Sequence, residues 1–192
     1  MKNILLLLFL TLMLSSCTKS LSKKEVEQYT KKGKEIAQVT AKKLGGTLVE
    51  KMKEGGVKEA VPFCNTTAMP LTNEMAEKFQ VTIKRTSHRL RNEINEPNTE
   101  EILIINNYNK LFAENKPLKP IVEIDKSGNP HFYAPIILQK KCLTCHGEIG
   151  KDITVKSDSI IKSYYPKDLA HGFKEGDLRG IWSITFVNAA FE

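Results

Sequence analysis

The chain has 192 residues, of which 41% are hydrophobic and 7% aromatic, and its formal charge is +7. This length is typical of a single domain with one hydrophobic core and is too short for two domains of ordinary size. The excess charge is local, because residues 19–58 contain eleven lysines against five glutamates, whereas residues 59–192 contain seventeen basic and seventeen acidic residues. The body of the protein is therefore neutral, and its overall charge does not by itself point to an acidic partner.

The start of the chain has the order of an export signal. A basic residue precedes an apolar run over residues 4–14 and two serines, and this run is too short for a stable membrane span. It ends in Leu14-Ser15-Ser16-Cys17, which resembles the lipobox of bacterial lipoproteins. We expect residues 1–16 to be a signal peptide, Cys17 to be lipidated, residues 17–21 to be the anchor with a short linker, and residues 22–192 to form the domain.

These features predict an exported bacterial lipoprotein that is anchored to a membrane and faces the periplasm or the cell exterior. Export also argues against a nucleic acid partner. The protein is expected to contact the membrane through its lipid anchor. The lysines that follow either form a solvated helix face or lie against anionic head groups.

Residues 22–54 predict one long amphipathic helix or two shorter ones. Ser22 and Glu25 have the spacing of a capping box at its start. Gly45 and Gly46 mark a candidate kink, since each glycine costs a helix on the order of 1 kcal/mol relative to alanine.

The next segment contains Cys64, which lies between Pro62 and Pro70. The two prolines predict that only short helical turns surround this cysteine. Residues 71–79 then predict a helix and residues 81–87 a strand. A further helix is predicted from Asn98, with Glu101 completing its cap, to about Asn115.

The last third is rich in β-forming residues. Residues 121–125 and 131–137 predict an antiparallel hairpin, residues 139–147 a turn or short helix, and residues 177–187 a closing strand. Helices first and strands last predict an α+β domain with an antiparallel sheet, a long N-terminal helix and flanking helices.

The motif Cys142-Leu143-Thr144-Cys145-His146 carries the chemistry of the chain. C-x-x-C-H is the signature of c-type haem attachment, in which two thiols add to the vinyl groups of one porphyrin and the histidine reaches the iron. A disulfide or a zinc knuckle is the minority interpretation, and zinc would require a second pair of ligands at similar spacing. We therefore expect one covalently bound haem c.

Cys64 is the remaining cysteine once Cys17 is lipidated and the motif binds porphyrin. It is either a buried inert thiol or the second axial ligand of the iron. From spacing alone, other side chains compete for that position: His88, His131, His171, Met69 and Met75.

Residues 85–97 are dense in arginine, asparagine and turn formers. Arginine pairs with carboxylates through two hydrogen bonds, so Arg85, Arg89 and Arg91 are candidate contacts for the haem propionates. A surface loop without haem contact is the alternative.

The chain resembles a family of bacterial single-haem c-type proteins with a PAS-like domain, which occur alone or as the sensory part of histidine kinases. The resemblance spans roughly residues 25–188. It rests on four blocks: Ala60-x-x-x-Cys64, Arg85-x-Ser87-x-x-x-Arg91-Asn92-x-x-Asn95-x-Pro97-x-x-x-Glu101, the late C-x-x-C-H motif, and Gly176-Asp177-Leu178-x-Gly180.

The resemblance implies a PAS-like fold and a haem iron with His146 and Cys64 as axial ligands. The chain departs from the family pattern at Glu93, where a proline is usual, and at His171, where a small polar residue is usual. Neither departure removes a ligand.

These observations predict electron transfer or an accessory redox function with a redox partner protein. The alternative is a haem-based redox or gas sensor that signals through a separate protein. An enzyme is not expected, because a haem enzyme needs an open coordination position with an acid–base group beside it.

Overall fold

The structure is a computed structural model and describes residues 20–187. Within this range the chain forms a four-stranded sheet, helices and two 3-10 turns. The helices are α1 Lys23–Gly55, α2 Val57–Thr66, α3 Ala68–Phe79, α4 Thr99–Ala113, α5 Leu143–His146 and α6 Val155–Tyr164; the strands are β1 Thr82–Thr86, β2 Ile121–Ile124, β3 Pro130–Ile137 and β4 Leu178–Thr185; the 3-10 turns are Glu93–Asn95 and Lys140–Cys142. The predicted signal peptide and Cys17 lie outside the described residues.

The sheet has the order β1-β4-β3-β2, and each neighbouring pair is antiparallel. The predicted hairpin forms β2 and β3, and the predicted closing strand lies in the centre as β4. The α+β class with an antiparallel sheet and a long N-terminal helix is confirmed.

Helix α1 covers one face of the sheet. Its capping box forms as predicted, with the Ser22 amide donating to the Glu25 carboxylate at 2.8 Å and the Glu25 amide donating to the Ser22 hydroxyl at 3.3 Å. Of the two alternatives, the single long helix forms, because α1 continues unbroken through Gly45-Gly46 to Gly55. Contacts with the sheet and with α2 and α3 offset the weak helix propensity of two glycines.

Gly33 lets α1 approach the sheet closely. A Cβ atom at this position would overlap the ring of Phe132, which is fully buried on β3. The surrounding core contains Tyr29, Ile36 and Ile184. The absence of a side chain at residue 33 therefore sets the distance between helix and sheet.

Helix α4 covers the opposite face. Ile105 and Tyr108 pack against Tyr133 of β3 and Ile181 of β4. Asn98 and Glu101 form the predicted capping box, and the buried Glu101 carboxylate also pairs with the Lys84 ammonium at 2.7 Å. Strand β4 thus contributes to two cores, with Ile181 facing α4 and Ile184 facing α1.

The prediction of only short helical turns around Cys64 is wrong. Cys64 lies in α2, a helix of ten residues that contains Pro62. Proline removes the hydrogen bond that its own amide would donate and crowds the carbonyl four residues earlier. Packing of Val57 and Val61 holds α2 in spite of this cost. Pro70 lies in the first turn of α3, where a missing amide proton costs little.

Helix α6 is absent from the sequence prediction. Thr154 caps it by accepting from the Ser157 amide at 3.1 Å. Ile161 and Tyr165 pack with Ile153 against Val57 and Val61 of α2, forming a second core beside the sheet. Among residues 20–187, no helix is long and apolar enough to cross a membrane.

Replacing Gly33 by alanine should destabilise the fold, because the added methyl must displace Phe132. We expect the free energy of unfolding to fall by about 1–3 kcal/mol, measured by urea denaturation. Gly45→Ala is the matched control, since a Cβ at residue 45 meets nothing within 4 Å, and it should raise stability by up to about 1 kcal/mol. Equal effects of the two variants would contradict this account.

Candidate haem site

The C-x-x-C-H motif forms a compact helical turn. Cys142 ends a 3-10 turn, and α5 runs from Leu143 to His146. Residues three apart lie on one side of a helical turn, so the Cys142 and Cys145 thiols project in the same general direction. Gly147 ends the turn, and a Cβ there would overlap the side chain of Asp152.

The segment 168–173 is hydrogen-bonded to this turn. The Phe173 amide donates to the His146 carbonyl at 3.0 Å, and the Gly172 amide donates to the Gly147 carbonyl. His146 Nδ1 lies 2.7 Å from the Ala170 carbonyl oxygen. Because a carbonyl can only accept, Nδ1 carries the proton and Nε2 presents its lone pair.

The environment of His146 keeps the imidazole neutral. Burial, followed by the charges of Arg91 and Arg179, lowers the pKa of His146 to about 3. A neutral ring with Nδ1 bonded to a carbonyl is the arrangement that orients Nε2 for metal ligation.

Cys64 and the motif face a shared region beside α2. Cys145 packs against the core that contains Val57 and Val61, and Cys64 follows Val61 by three residues on the same helix. Burial raises the pKa of the Cys64 thiol, a thiolate at Cys145 raises it further, and Arg85 and Arg91 act in the opposite direction. Cys64 and Cys145 are thus close enough that the charge of a Cys145 thiolate affects the pKa of Cys64.

The three predicted arginines occupy different positions. Arg85 lies on β1, with its guanidinium carbon 5.7 Å from the centre of the Trp182 ring, and burial lowers the pKa of Arg85. Arg89 is exposed, stacks on Phe173 at 4.0 Å and donates through Nε to the Leu169 carbonyl. Arg91 forms an ion pair with Asp168 at 3.1 Å.

A fourth arginine in this region was not predicted. Arg179 lies 5.4 Å from Phe173 and is affected electrostatically by Arg91 and Asp168. Its Nε is buried and has no hydrogen-bond partner among residues 20–187. Burial, followed by repulsion from Arg91, lowers the pKa of Arg179 to about 10. Asp168 and Ala170 were also missed.

These groups fit a porphyrin with two propionates. Cys142 and Cys145 supply the thiols, and His146 supplies an oriented nitrogen. Three other guanidinium groups and one carboxylate, that of Asp168, act on Arg179, so the region has an excess of positive charge. The buried Nε of Arg179 is a donor without a partner among residues 20–187. An anionic ligand would satisfy both.

The competing ligand candidates have other surroundings. Met75 is buried in the core beneath α1. His131 is buried, with Nε2 at 2.8 Å from the Ser183 hydroxyl, and His88 is exposed, with Nε2 at 2.8 Å from the Asn106 amide oxygen. His171 follows Ala170 and is half-buried, as is Met69 of α3.

Comparisons with known proteins agree with this fold. The family model described as Tll0287-like (Tll0287) matches residues 17–186. The chain is similar to the solved structure entitled "Crystal structure of the cyanobacterial heme-protein Tll0287", with a TM-score of 0.58 and 20% sequence identity over 90% of this chain and 100% of that chain. At this identity the likeness concerns the fold. No curated protein matches the chain.

The raised pKa of Cys64 predicts slow alkylation when no haem is attached. In a Cys142→Ala Cys145→Ala variant, desolvation still disfavours the thiolate, so iodoacetamide should modify Cys64 several-fold more slowly at pH 8 than in the same protein unfolded in urea. Mass spectrometry of the Cys64 peptide measures both rates. A native rate equal to the unfolded rate would show that the thiol pKa is not raised.

Proposed function

The chain belongs to the Tll0287-like family, and on that premise we propose that it is a c-type haem protein with redox function. The haem is attached through Cys142 and Cys145, and His146 is one axial ligand. The observation that carries the proposal is the hydrogen bond from His146 Nδ1 to the Ala170 carbonyl, which leaves Nε2 available beside two thiols on the same turn.

Cys64 is the proposed second axial ligand. Its neighbours Cys145, Arg85 and Arg91 place it near the attachment turn, and it lies on α2, a separate helix from the motif. The thiol is protonated in the absence of iron because burial raises its pKa, whereas coordination to a metal deprotonates a thiol outright. Arg85 and Arg91 stabilise the thiolate that results.

The proposed propionate contacts are the arginines whose side chains are not fully used within the protein. Arg179 has a buried Nε without a described partner, and Arg85 is half-buried and interacts electrostatically with Cys64. Arg89 is exposed beside Phe173. Arg91 already bonds to Asp168 and to two carbonyls, so it contributes mainly its charge.

Bound there, haem would supply a one-electron couple between ferric and ferrous iron. Thiolate ligation favours the ferric state and gives a low potential. We propose electron transfer or an accessory redox role. In this role His146 and Cys64 would both remain bound to the iron, and the haem would exchange electrons with a partner protein. No catalytic residue is proposed.

A haem-based sensor is the second candidate. The position of Cys64 favours it, because α2 packs on α1, α3 and α6 and carries both Cys64 and the core residues Val57 and Val61. Loss of the Cys64 ligand on reduction or gas binding would free this helix to shift relative to its neighbours. A separate signalling protein would receive the change.

We further propose that the protein is an exported lipoprotein held on the membrane through Cys17. Metabolic labelling with a fatty acid should mark the wild type and be lost in Cys17→Ala, which should accumulate as the uncleaved precursor. Equal labelling of both proteins would exclude the lipid anchor.

Covalent haem attachment has a direct test. On a denaturing gel the wild type should retain peroxidase-active haem stain, because thioether bonds survive denaturation. The Cys142→Ala Cys145→Ala variant should lose the stain, while Cys64→Ala, which keeps both attachment thiols, should retain it. Retained stain in the double variant would remove the basis of the proposal.

The role of Cys64 is tested by spectroscopy of the ferric protein. Wild type should be low-spin with thiolate character, and Cys64→Ala should have a higher potential and bind added ligands. Electron paramagnetic resonance and redox titration measure these changes. An unchanged spectrum in Cys64→Ala would exclude thiolate ligation and leave His88, His131, His171, Met69 and Met75 as candidates.

Carbon monoxide distinguishes the two functional classes. Electron transfer is favoured if the wild-type haem cycles reversibly between the ferric and ferrous states and the ferrous protein does not bind carbon monoxide. Cys64 would then stay on the iron in both oxidation states. Rapid binding after reduction favours sensing, because the ligand must then have left.

A further inference from the structure

Arg91 joins three segments of the chain through one guanidinium group. Its Nε and Nη2 donate to the two carboxylate oxygens of Asp168 at 3.2 and 3.1 Å. Nη2 also donates to the carbonyl of Cys145 and, at 3.3 Å, to that of Ala170. The side chains of Arg91 and Asp168 are 14% and 4% exposed, so this ion pair is largely shielded from water.

Asp168 shapes the segment that contacts His146. Its Oδ1 accepts from the Ala170 amide at 2.8 Å, and the carbonyl of the same Ala170 accepts from His146 Nδ1. Arg91 and Asp168 therefore each bond directly to the residue that orients the histidine. A largely buried ion pair gives little net stability compared with apolar packing, which makes positioning the better account of its presence.

We propose that Arg91 and Asp168 form a clamp that positions His146 and sets the reduction potential of the haem bound there, an inference that rests on the proposed function. The clamp holds the Ala170 carbonyl against Nδ1 and thereby fixes the direction of Nε2. The Arg91 charge acts on His146, and the carboxylate of Asp168, which is paired with it, offsets part of that charge.

Asp168→Asn tests the charge. It leaves the Arg91 cation uncompensated near His146, and a positive charge near the iron ligand would favour the ferrous over the ferric state. We expect the ferrous-to-ferric ratio at a fixed ambient potential to rise about tenfold, which corresponds to about 59 mV for one electron.

Arg91→Lys tests the geometry. Lysine keeps the charge but lacks the planar fork that reaches Asp168 and both carbonyls. We expect a ferrous-to-ferric ratio within about threefold of wild type, because the charge is retained, together with several low-spin species in the resonance spectrum as His146 loses its fixed direction.

Lys167→Gln is the matched control. Lys167 precedes Asp168 in the same segment and pairs with Glu93, but the two side chains are 74% and 66% exposed. It should match wild type in potential and spectrum. The clamp is overturned if Asp168→Asn leaves both potential and spectrum at wild-type values, or if Lys167→Gln shifts them equally. If Asp168→Asn fails to fold, a single wild-type-like species in Arg91→Lys overturns it.

Urea denaturation separates this inference from the proposed function. If the wild type carries no haem, the proposed function fails together with the effect on reduction potential, and stability then tests only whether Arg91 and Asp168 hold the segment that contacts His146. The unfolding midpoint of Asp168→Asn should then lie clearly below that of Lys167→Gln, because a buried guanidinium loses its partner. Equal midpoints would overturn the clamp.

Discussion

The hydrogen bond from His146 Nδ1 to the Ala170 carbonyl is the interaction on which the candidate site depends. It fixes the tautomer of the imidazole and joins the C-x-x-C-H turn to residues 168–173. Two backbone hydrogen bonds from Gly172 and Phe173 reinforce the same junction. The attachment turn is therefore held by hydrogen bonds to residues 168–173, and Nε2 of His146 presents its lone pair for metal ligation.

Local signals predicted the parts of the fold that local physics decides. Both capping boxes and the hairpin formed as the sequence indicated, because their hydrogen bonds lie within a few residues. The sequence did not predict helix continuation through Pro62, and it left open whether the first helix breaks at Gly45-Gly46, since packing between α1 and α2 overrides propensity. Helix α6 was missed, although Thr154 offered a cap signal.

The residues of the candidate site likewise fall into those that a local motif predicts and those that only the fold brings together. A short motif identified Cys142, Cys145 and His146, whereas Asp168 and Arg179 reach the site only through the fold. Asp168 is 77 residues from its partner Arg91, and no local pattern marks it. Arg179 occupies the unspecified position of the Gly176-Asp177-Leu178-x-Gly180 block, so that block did not mark it either. The arginines and Cys64 would act on iron in opposite directions, since positive charge favours the ferrous state and thiolate the ferric state.

The central claim is that one haem iron lies between His146 and Cys64. X-ray absorption at the iron edge of the purified ferric protein tests it most directly, because sulfur and nitrogen neighbours scatter differently. The account predicts one sulfur and five nitrogen neighbours in the wild type and no sulfur neighbour in Cys64→Ala. Six nitrogen neighbours in the wild type, or a sulfur neighbour that persists in Cys64→Ala, would contradict it.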